Sequence, residues 1–251
     1  MEFDLNFYLL AIFVVVFAGV SKSGFVGGGA LMAVPLLSLL ISPQVAAGIM
    51  LPILVAMDFM NVWRYRKHWS ARWYWLLFPA SLVGIAIGTV GFHTFSADGL
   101  KLFIGILALF FAVRYFAGLS KAVPAKPLSK RWGRVLGALG GLGSFIAHAG
   151  GPPIDSYMLS QKPHKTQLVA TSVYLFTSIN LVKLPPYYFL GLLSQDNLTI
   201  SLLLLPFVPI GVFLGHYLHE KVSQILFDRL AHILLMVTAF KLIWDGVSDL
   251  L

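Results

Sequence analysis

The 251-residue chain contains no cysteine. Disulfide frameworks, thiolate metal sites and cysteine nucleophiles are therefore excluded. Charge is scarce as well: 11% of residues are Asp, Glu, Lys or Arg, against about 25% in soluble globular domains. Glutamate occurs only at Glu2 and Glu220, which leaves little for paired-carboxylate chemistry. No Gly-rich phosphate-binding loop of the P-loop type is present, so direct ATP drive is not expected from this chain, and nothing in the sequence implies a cofactor or a metal. What abounds is apolar surface. Hydrophobic residues make up 58% of the chain, in repeated runs of about 20 residues, the length that crosses a hydrocarbon layer of about 30 Å as helix. The composition excludes a cytosolic globule and predicts a multi-spanning protein whose constant partner is the lipid bilayer. The net charge of +8 implies no nucleic acid, because the bases cluster in short loops, as they do on the cytoplasmic side of membrane proteins. Met1 to Val20 is apolar but begins with Glu2 and Asp4 in place of a basic leader, so it reads as a retained first helix.

Apolar runs bounded by charge or by Gly/Pro give segments at 5–20, 25–41, 44–63, 73–92 and 99–118, and again at 133–149, 151–160, 166–188, 198–218 and 225–246. Segment 151–160 is too short to cross alone and reads as half of a re-entrant or broken helix. The expected fold is thus an all-α polytopic membrane protein of about eight to ten membrane segments. Its organisation is an N-terminal transmembrane repeat over 1–118, a cytoplasmic basic linker over 119–132 and a C-terminal transmembrane repeat over 133–251. The halves resemble each other. Gly24-Phe25-Val26 matches Ser144-Phe145-Ile146, and Gly28-Gly29 matches Gly150-Gly151 two residues out of step. Pro79, Gly84 and Gly88 recur 127 residues later as Pro206, Gly211 and Gly215. These paired glycines read as close-packing positions between helices.

Loop charge sets the orientation. Arg64, Arg66, Lys67 and Arg72, together with the central loop, belong in the cytoplasm. If both Gly-rich breaks cross or turn back, Lys162 and Lys165 join them, and each half makes an odd number of traversals. The halves would then form an inverted repeat; only Lys101 stands against the charge rule. Trp63, Trp69, Trp73 and Trp75, with Tyr65 and Tyr74, flank the first basic loop as interfacial anchors.

Polar residues concentrate at the two breaks. One reads Ser21-Lys22-Ser23-Gly24-Phe25-Val26-Gly27-Gly28-Gly29; the other runs from Ser144 through His148 to Gly150-Gly151-Pro152-Pro153. Non-helical backbone at membrane depth persists only when buried or lining a wet cavity, and interrupted segments at matching places of two halves point to a transporter's binding site. A half-helix starting after each Gly cluster would aim free N–H groups at the midplane and favour an anion. Lys22 either compensates that anion or snorkels to the interface. His148 either donates to an oxyanion, carries a proton, or is a buried ring satisfied by a carbonyl. Asp58 and Asn61 share one helical face. An acid inside a span is costly and marks function by default, so Asp58 is a proton-coupling candidate, as is His148, unless Asp58 pairs internally with Lys183. Otherwise Lys183 is a substrate or pairing cation. Thr171, Tyr174 and Thr177 offer neutral hydrogen bonds to substrate or to their own helix backbone. Asp155 either caps the short helix or lines the site. The expected substrate-binding set is Ser21, Lys22, Ser23, Gly27, Gly28, Gly29, Ser144, His148, Gly150, Gly151, Thr171 and Lys183.

The two breaks, followed by Val34-Pro35-Leu36-Leu37 and by Tyr157-Met158-Leu159 respectively, resemble the sulfite exporter TauE/SafE family of membrane transporters, over nearly the whole chain. That resemblance implies transport of sulfur-containing organic anions, sulfite-like oxyanions or small carboxylates across the bacterial inner membrane. The sequence is thus read as a secondary transporter for a small anion, an organosulfonate, sulfite or related oxyanion, working by alternating access with protons as a candidate coupling ion. A passive anion channel is the nearer rival, separable by saturation and counterflow. A membrane-embedded enzyme is the further one; Ser144 with His148 would be its sole nucleophile and base.

Overall fold

The computed structural model describes residues 4–25, 29–94, 96–118 and 126–248, all helix and connecting loop. α1 (Leu5–Gly24) starts where the Asp4 carboxylate accepts the Phe7 N–H at 3.0 Å. After the break, a 3-10 turn (Gly29–Met32) runs into α2 (Ala33–Leu37). α3 (Pro43–Tyr65), α4 (Ala71–Gly91) and α5 (Ala97–Phe116) complete the first half. α6 (Lys130–Ala147), α7 (Gly151–Ser160), α8 (Lys165–Phe189), α9 (Gln195–Leu204), α10 (Phe207–Lys221) and α11 (Gln224–Ser248) form the second. Serine is the N-cap of five of these helices, and at three of them Ser42, Ser96 and Ser194 each accept an N–H of the first turn, satisfying donors that otherwise have no partner.

The count of spans differs from the expected eight to ten. Among the described residues six helices, α1, α3, α4, α5, α8 and α11, are long and apolar enough to cross a membrane, and the pair α9 and α10, bent by 46°, makes a seventh if it is one span. The bend falls at Leu205 and Pro206, inside the run expected as one segment over 198–218, because proline lacks the N–H that would continue the ladder. α6 has 18 residues but opens with Lys130, Arg131 and Arg134. α7, at 10 residues, and the stretch 29–37 are too short to cross alone.

The most extensive helix contacts run α1 to α10, α6 to α4, α5 to α11 and α3 to α8. Small residues permit the first two. A Cβ added to Gly211 would lie 2.7 Å from the Val16 carbonyl oxygen, and one on Gly215 2.7 Å from that of Val20; on the other seam Gly84 meets Ala138 backbone and Gly88 meets the Phe145 ring. These are backbone approaches of the small-x-x-x-small kind, as the paired glycines lead one to expect. Outward faces stay apolar: Trp63, Val90, Phe189, Phe213 and Trp244 are each more than two-thirds exposed or close to it, a surface suited to lipid and not to water.

The bases gather at one end of the bundle. Ser70 N–H donates to Thr171 Oγ1 at 2.9 Å and Trp69 stacks on Tyr174 at 5.1 Å, which brings the 66–70 loop to the start of α8. Leu128 N–H donates to Ser160 Oγ at 3.2 Å, joining the central loop to the end of α7. The end of α5 meets the start of α11 through Tyr115 and the Ile225 carbonyl at 3.4 Å. Arg66, Lys67, Lys126 and Lys162 therefore share that end, as cytoplasmic loops would. At the opposite end, Asn197 Nδ2 donates to Leu192 O at 2.9 Å beside Gly48 of α3.

Candidate functional site

The two breaks and the buried middles of α3 and α8 enclose a cavity of about 110 Å³. A cavity needs only about 10–15 Å³ on this measure to admit one water, so there is room for several waters or a small solute. Ser21, Lys22 and Phe25 line it from α1, Asp58 and Asn61 from α3, Ser144 and His148 from the end of α6, Gly151 and Asp155 from α7, and Ser172, Phe176 and Asn180 from α8. A second hollow of the same size is lined by Lys22, Ser23, Gly24, Phe25, Tyr65, Thr166, Val169 and His219. It shares Lys22, Phe25 and Val169 with the first and extends toward the ends of α3 and α8 that carry the basic loops.

Lys22 stands between the two hollows. Its ammonium pairs with Asp58 Oδ1, and the side chains are 15% and 1% exposed respectively. Asp58 Oδ2 accepts from Asn180 Nδ2 at 2.6 Å. An ammonium has three donors, so two of those on Lys22 are left without a partner among the described residues. The expected internal pair of Asp58 with Lys183 is not formed; the acid meets Lys22 instead. Asp58 and Lys22 both line the cavity, whereas Lys183, one turn beyond Asn180, is held by Ser144 and His148.

Lys183 is wholly buried and closes a separate cluster. Its ammonium donates to Ser144 O at 2.8 Å, to Ser144 Oγ at 3.1 Å and to His148 Nδ1 at 2.7 Å, which uses all three donors. With Nδ1 accepting, the other ring nitrogen of His148, Nε2, carries the proton and donates to Ala47 O at 3.1 Å. His148 itself sits in the left-handed region at φ 52° as the C-cap of α6, a conformation that costs a non-glycine residue about 1–2 kcal/mol. Ala149 N–H returns to Gly143 O at 3.0 Å and closes the helix end. Tyr187 O–H donates to Phe145 O in the same layer. His148 is thus a cavity-lining ring whose polar atoms are both engaged by protein.

The remaining expectations divide by position. Ser21, Lys22, Asp58, Ser144, His148 and Gly151 come together around the cavity, and Ser23 lines the second hollow with Oγ unpartnered and buried. Thr171 does not reach the cavity. Its hydroxyl donates to Gln167 O at 2.7 Å and accepts from Ser70, fastening the basic loop to α8. Lys183 likewise does not line the cavity. Gly27 and Gly28 lie outside the described residues, and Gly29 opens the 3-10 turn. The anion-binding helix ends expected after both Gly clusters are weaker than supposed: Gly150 is the N-cap of α7, Pro152 and Pro153 occupy its first turn and lack N–H groups, and α2 has only five residues.

Asn180 and Ser172 are the polar lining residues that sequence reasoning passed over. Asn180 carried a signal: Asn180 and Lys183 follow Asp58 and Asn61 by 122 residues each, so the two helices bear matching polar pairs. Asp155, left ambiguous by sequence, lines the cavity, is 8% exposed and accepts one hydrogen bond, from Ser172 at 3.4 Å. Ser172 sits directly beside Thr171 and was not singled out from it. Asn61 donates Nδ2 to Met57 O at 3.1 Å and leaves Oδ1 without a partner.

Comparison with curated proteins and with solved structures finds no match. The family description "Sulfite exporter TauE/SafE" matches residues 11–242, which takes in both breaks, every cavity-lining residue and all but the ends of the described helices. The chain therefore belongs to the sulfite exporter TauE/SafE family, whose members are membrane transporters and not enzymes.

Proposed function

We propose that the protein is a secondary transporter of the bacterial inner membrane for a small anion, an organosulfonate, sulfite or a related sulfur oxyanion, with the cavity between the breaks as its binding site. The observation that carries this reading is Lys22: a cation in an apolar bundle, lining a solute-sized cavity with two donors free. Charge at membrane depth is retained where it serves a pathway, and a free ammonium beside hydroxyls and amides suits an oxyanion. Ser21, Asn180 and Gly151 line the same space. Mechanistically, the halves 1–118 and 133–251 act as an inverted repeat. Its support is the reciprocal packing of α1 on α10 and of α6 on α4, which joins the first helix of each half to the helix of the other that carries the recurring glycine pair. Alternating access would follow as one half rocks against the other around the fixed site. The second hollow, at the basic end, is then the cytoplasmic approach, and the His148–Ala47 and Lys183–Ser144 contacts close the other side.

The test is ligand stabilisation of the purified protein against sulfite, thiosulfate, sulfoacetate, taurine, sulfate and small carboxylates. A ligand at 100 times its Kd stabilises the folded state by about 2.7 kcal/mol. Selective stabilisation by a sulfur anion that disappears in Lys22→Ala is the expected result. Absence of any anion effect, together with flux in proteoliposomes that neither saturates nor shows counterflow, would replace this reading with a channel.

A further inference from the structure

Lys22 is not waiting empty for an anion. Its ammonium already holds the Asp58 carboxylate, itself held from the far side by Asn180 at 2.6 Å. Asp58 is a carboxylate, 1% exposed, in the wall of the same cavity. It presents to Lys22 the same chemistry that an oxyanion substrate would present. We infer that Asp58 is an internal stand-in for the transported anion: the substrate takes Lys22 from Asp58, and Asp58 takes up one proton as it is displaced. This rests on the anion-transport reading above.

The argument is one of charge. In the empty site Lys22 and Asp58 cancel, and a bundle of low dielectric can change conformation around a neutral pair. When an anion reaches Lys22, the site holds two negative groups and one positive. Like charges sharing a poorly solvated site do not both remain ionised. A sulfonate is the weaker base, so the proton goes to the carboxylate. The step balances simply. The Lys22 Nζ–H to Asp58 Oδ1 hydrogen bond is exchanged for one to a substrate oxygen, and a proton from water in the cytoplasmic or outer aqueous phase forms the O–H bond on Asp58. Asn180 can serve both forms, donating Nδ2 to the carboxylate and accepting the carboxylic proton at Oδ1. The other ionisable groups that face Asp58 do not supply this proton. Lys22 from α1 stays as the anion's partner. From α8, Lys183 has its donors committed to Ser144 and His148, and at the end of α6 the His148 ring is spanned between Lys183 and Ala47. Asp155 from α7 lies on the wall with Ser172, and among the described residues it makes no ion pair. Loaded and empty carriers are then both neutral for a monovalent anion, and one proton accompanies each anion. The pair also makes the empty return step depend on Asp58, whereas exchange of one bound anion for another does not.

The full chain in proteoliposomes separates the possibilities, with a pH-sensitive dye inside and labelled isethionate as the anion for counting protons, and labelled sulfite, which itself takes up a proton near neutral pH, as a probe of flux alone. Wild type should acidify the interior as anion enters, near one proton per anion. In Asp58→Asn, net uptake should fall by about 100-fold, because Lys22 crosses uncompensated in the empty carrier, while anion-for-anion exchange persists and no longer moves protons. The double variant Lys22→Gln with Asp58→Asn removes the pair as a unit and should fold but neither exchange nor transport. Loss of exchange and net uptake together in folded Asp58→Asn would reduce Asp58 to a positioning residue and overturn the inference. Unchanged proton movement in that variant would overturn it too, as would a selective loss of taurine transport with anion coupling intact. If the wild type moves neither probe saturably, the anion reading itself fails. If it moves anion without protons, only this inference fails.

Discussion

The two Gly-rich breaks do opposite things with their cations. In the first, α1 delivers Lys22 to the cavity with donors to spare. In the second, Lys183 is buried beside the break and spends every donor on Ser144 and His148. One ammonium has donors without a partner among the described residues and the other fixes the backbone where α6 ends. An intramembrane charge therefore announces function only when its hydrogen-bonding capacity is incomplete. Burial and polarity alone do not separate a ligand from a fastener.

Substitutions at both breaks can sharpen or break that contrast. The largest loss of stability is expected from Lys183→Ala, which strips the Ser144 hydroxyl and His148 Nδ1 of their partner and opens a void, at about 3–5 kcal/mol. Its melting temperature in detergent should fall well below that of Lys22→Ala; equal losses would dissolve the distinction. Lys22→Ala should instead leave the fold assembled and remove the anion-dependent stabilisation of about 2.7 kcal/mol at saturating ligand, read by the same melts with and without ligand. Gly211→Val places side-chain atoms against the Val16 backbone, where nothing flexible can yield, and should cost about 1–3 kcal/mol. The matching change on the other seam, Gly84→Val, should cost a similar amount if the two seams are equivalent. Last, Thr171→Val removes the acceptor for Ser70 N–H and should cost about 1 kcal/mol with anion affinity unchanged; a loss of affinity would return Thr171 to the site.

Much of the architecture was legible because lipid imposes a simple rule. Runs of apolar residues bounded by charge located α1, α3, α4, α5, α8 and α11 to within a few residues. The bend at Pro206 was missed because the apolar run continues through it, and α6 was begun three residues late because Lys130 and Arg131 in its first turn read as the end of the basic linker. At the site, Lys22, Asp58, Ser144 and His148 stood out as polar residues in apolar surroundings. Thr171 stood out for the same reason and serves a loop, because hydropathy carries no information about which side of a helix faces the cavity.

The sequence by itself determined a membrane-embedded helical protein, its two Gly-rich breaks and the small set of polar residues available for chemistry, since each follows from local composition and the cost of polar groups in hydrocarbon. Only the tertiary structure decided who pairs with whom. Asp58 could have met Lys22, 36 residues before it, or Lys183, 125 residues after it, and the choice depends on the crossing of α1, α3 and α8. Ion pairing is a matter of a few ångströms between distant segments, which no periodicity along the chain encodes.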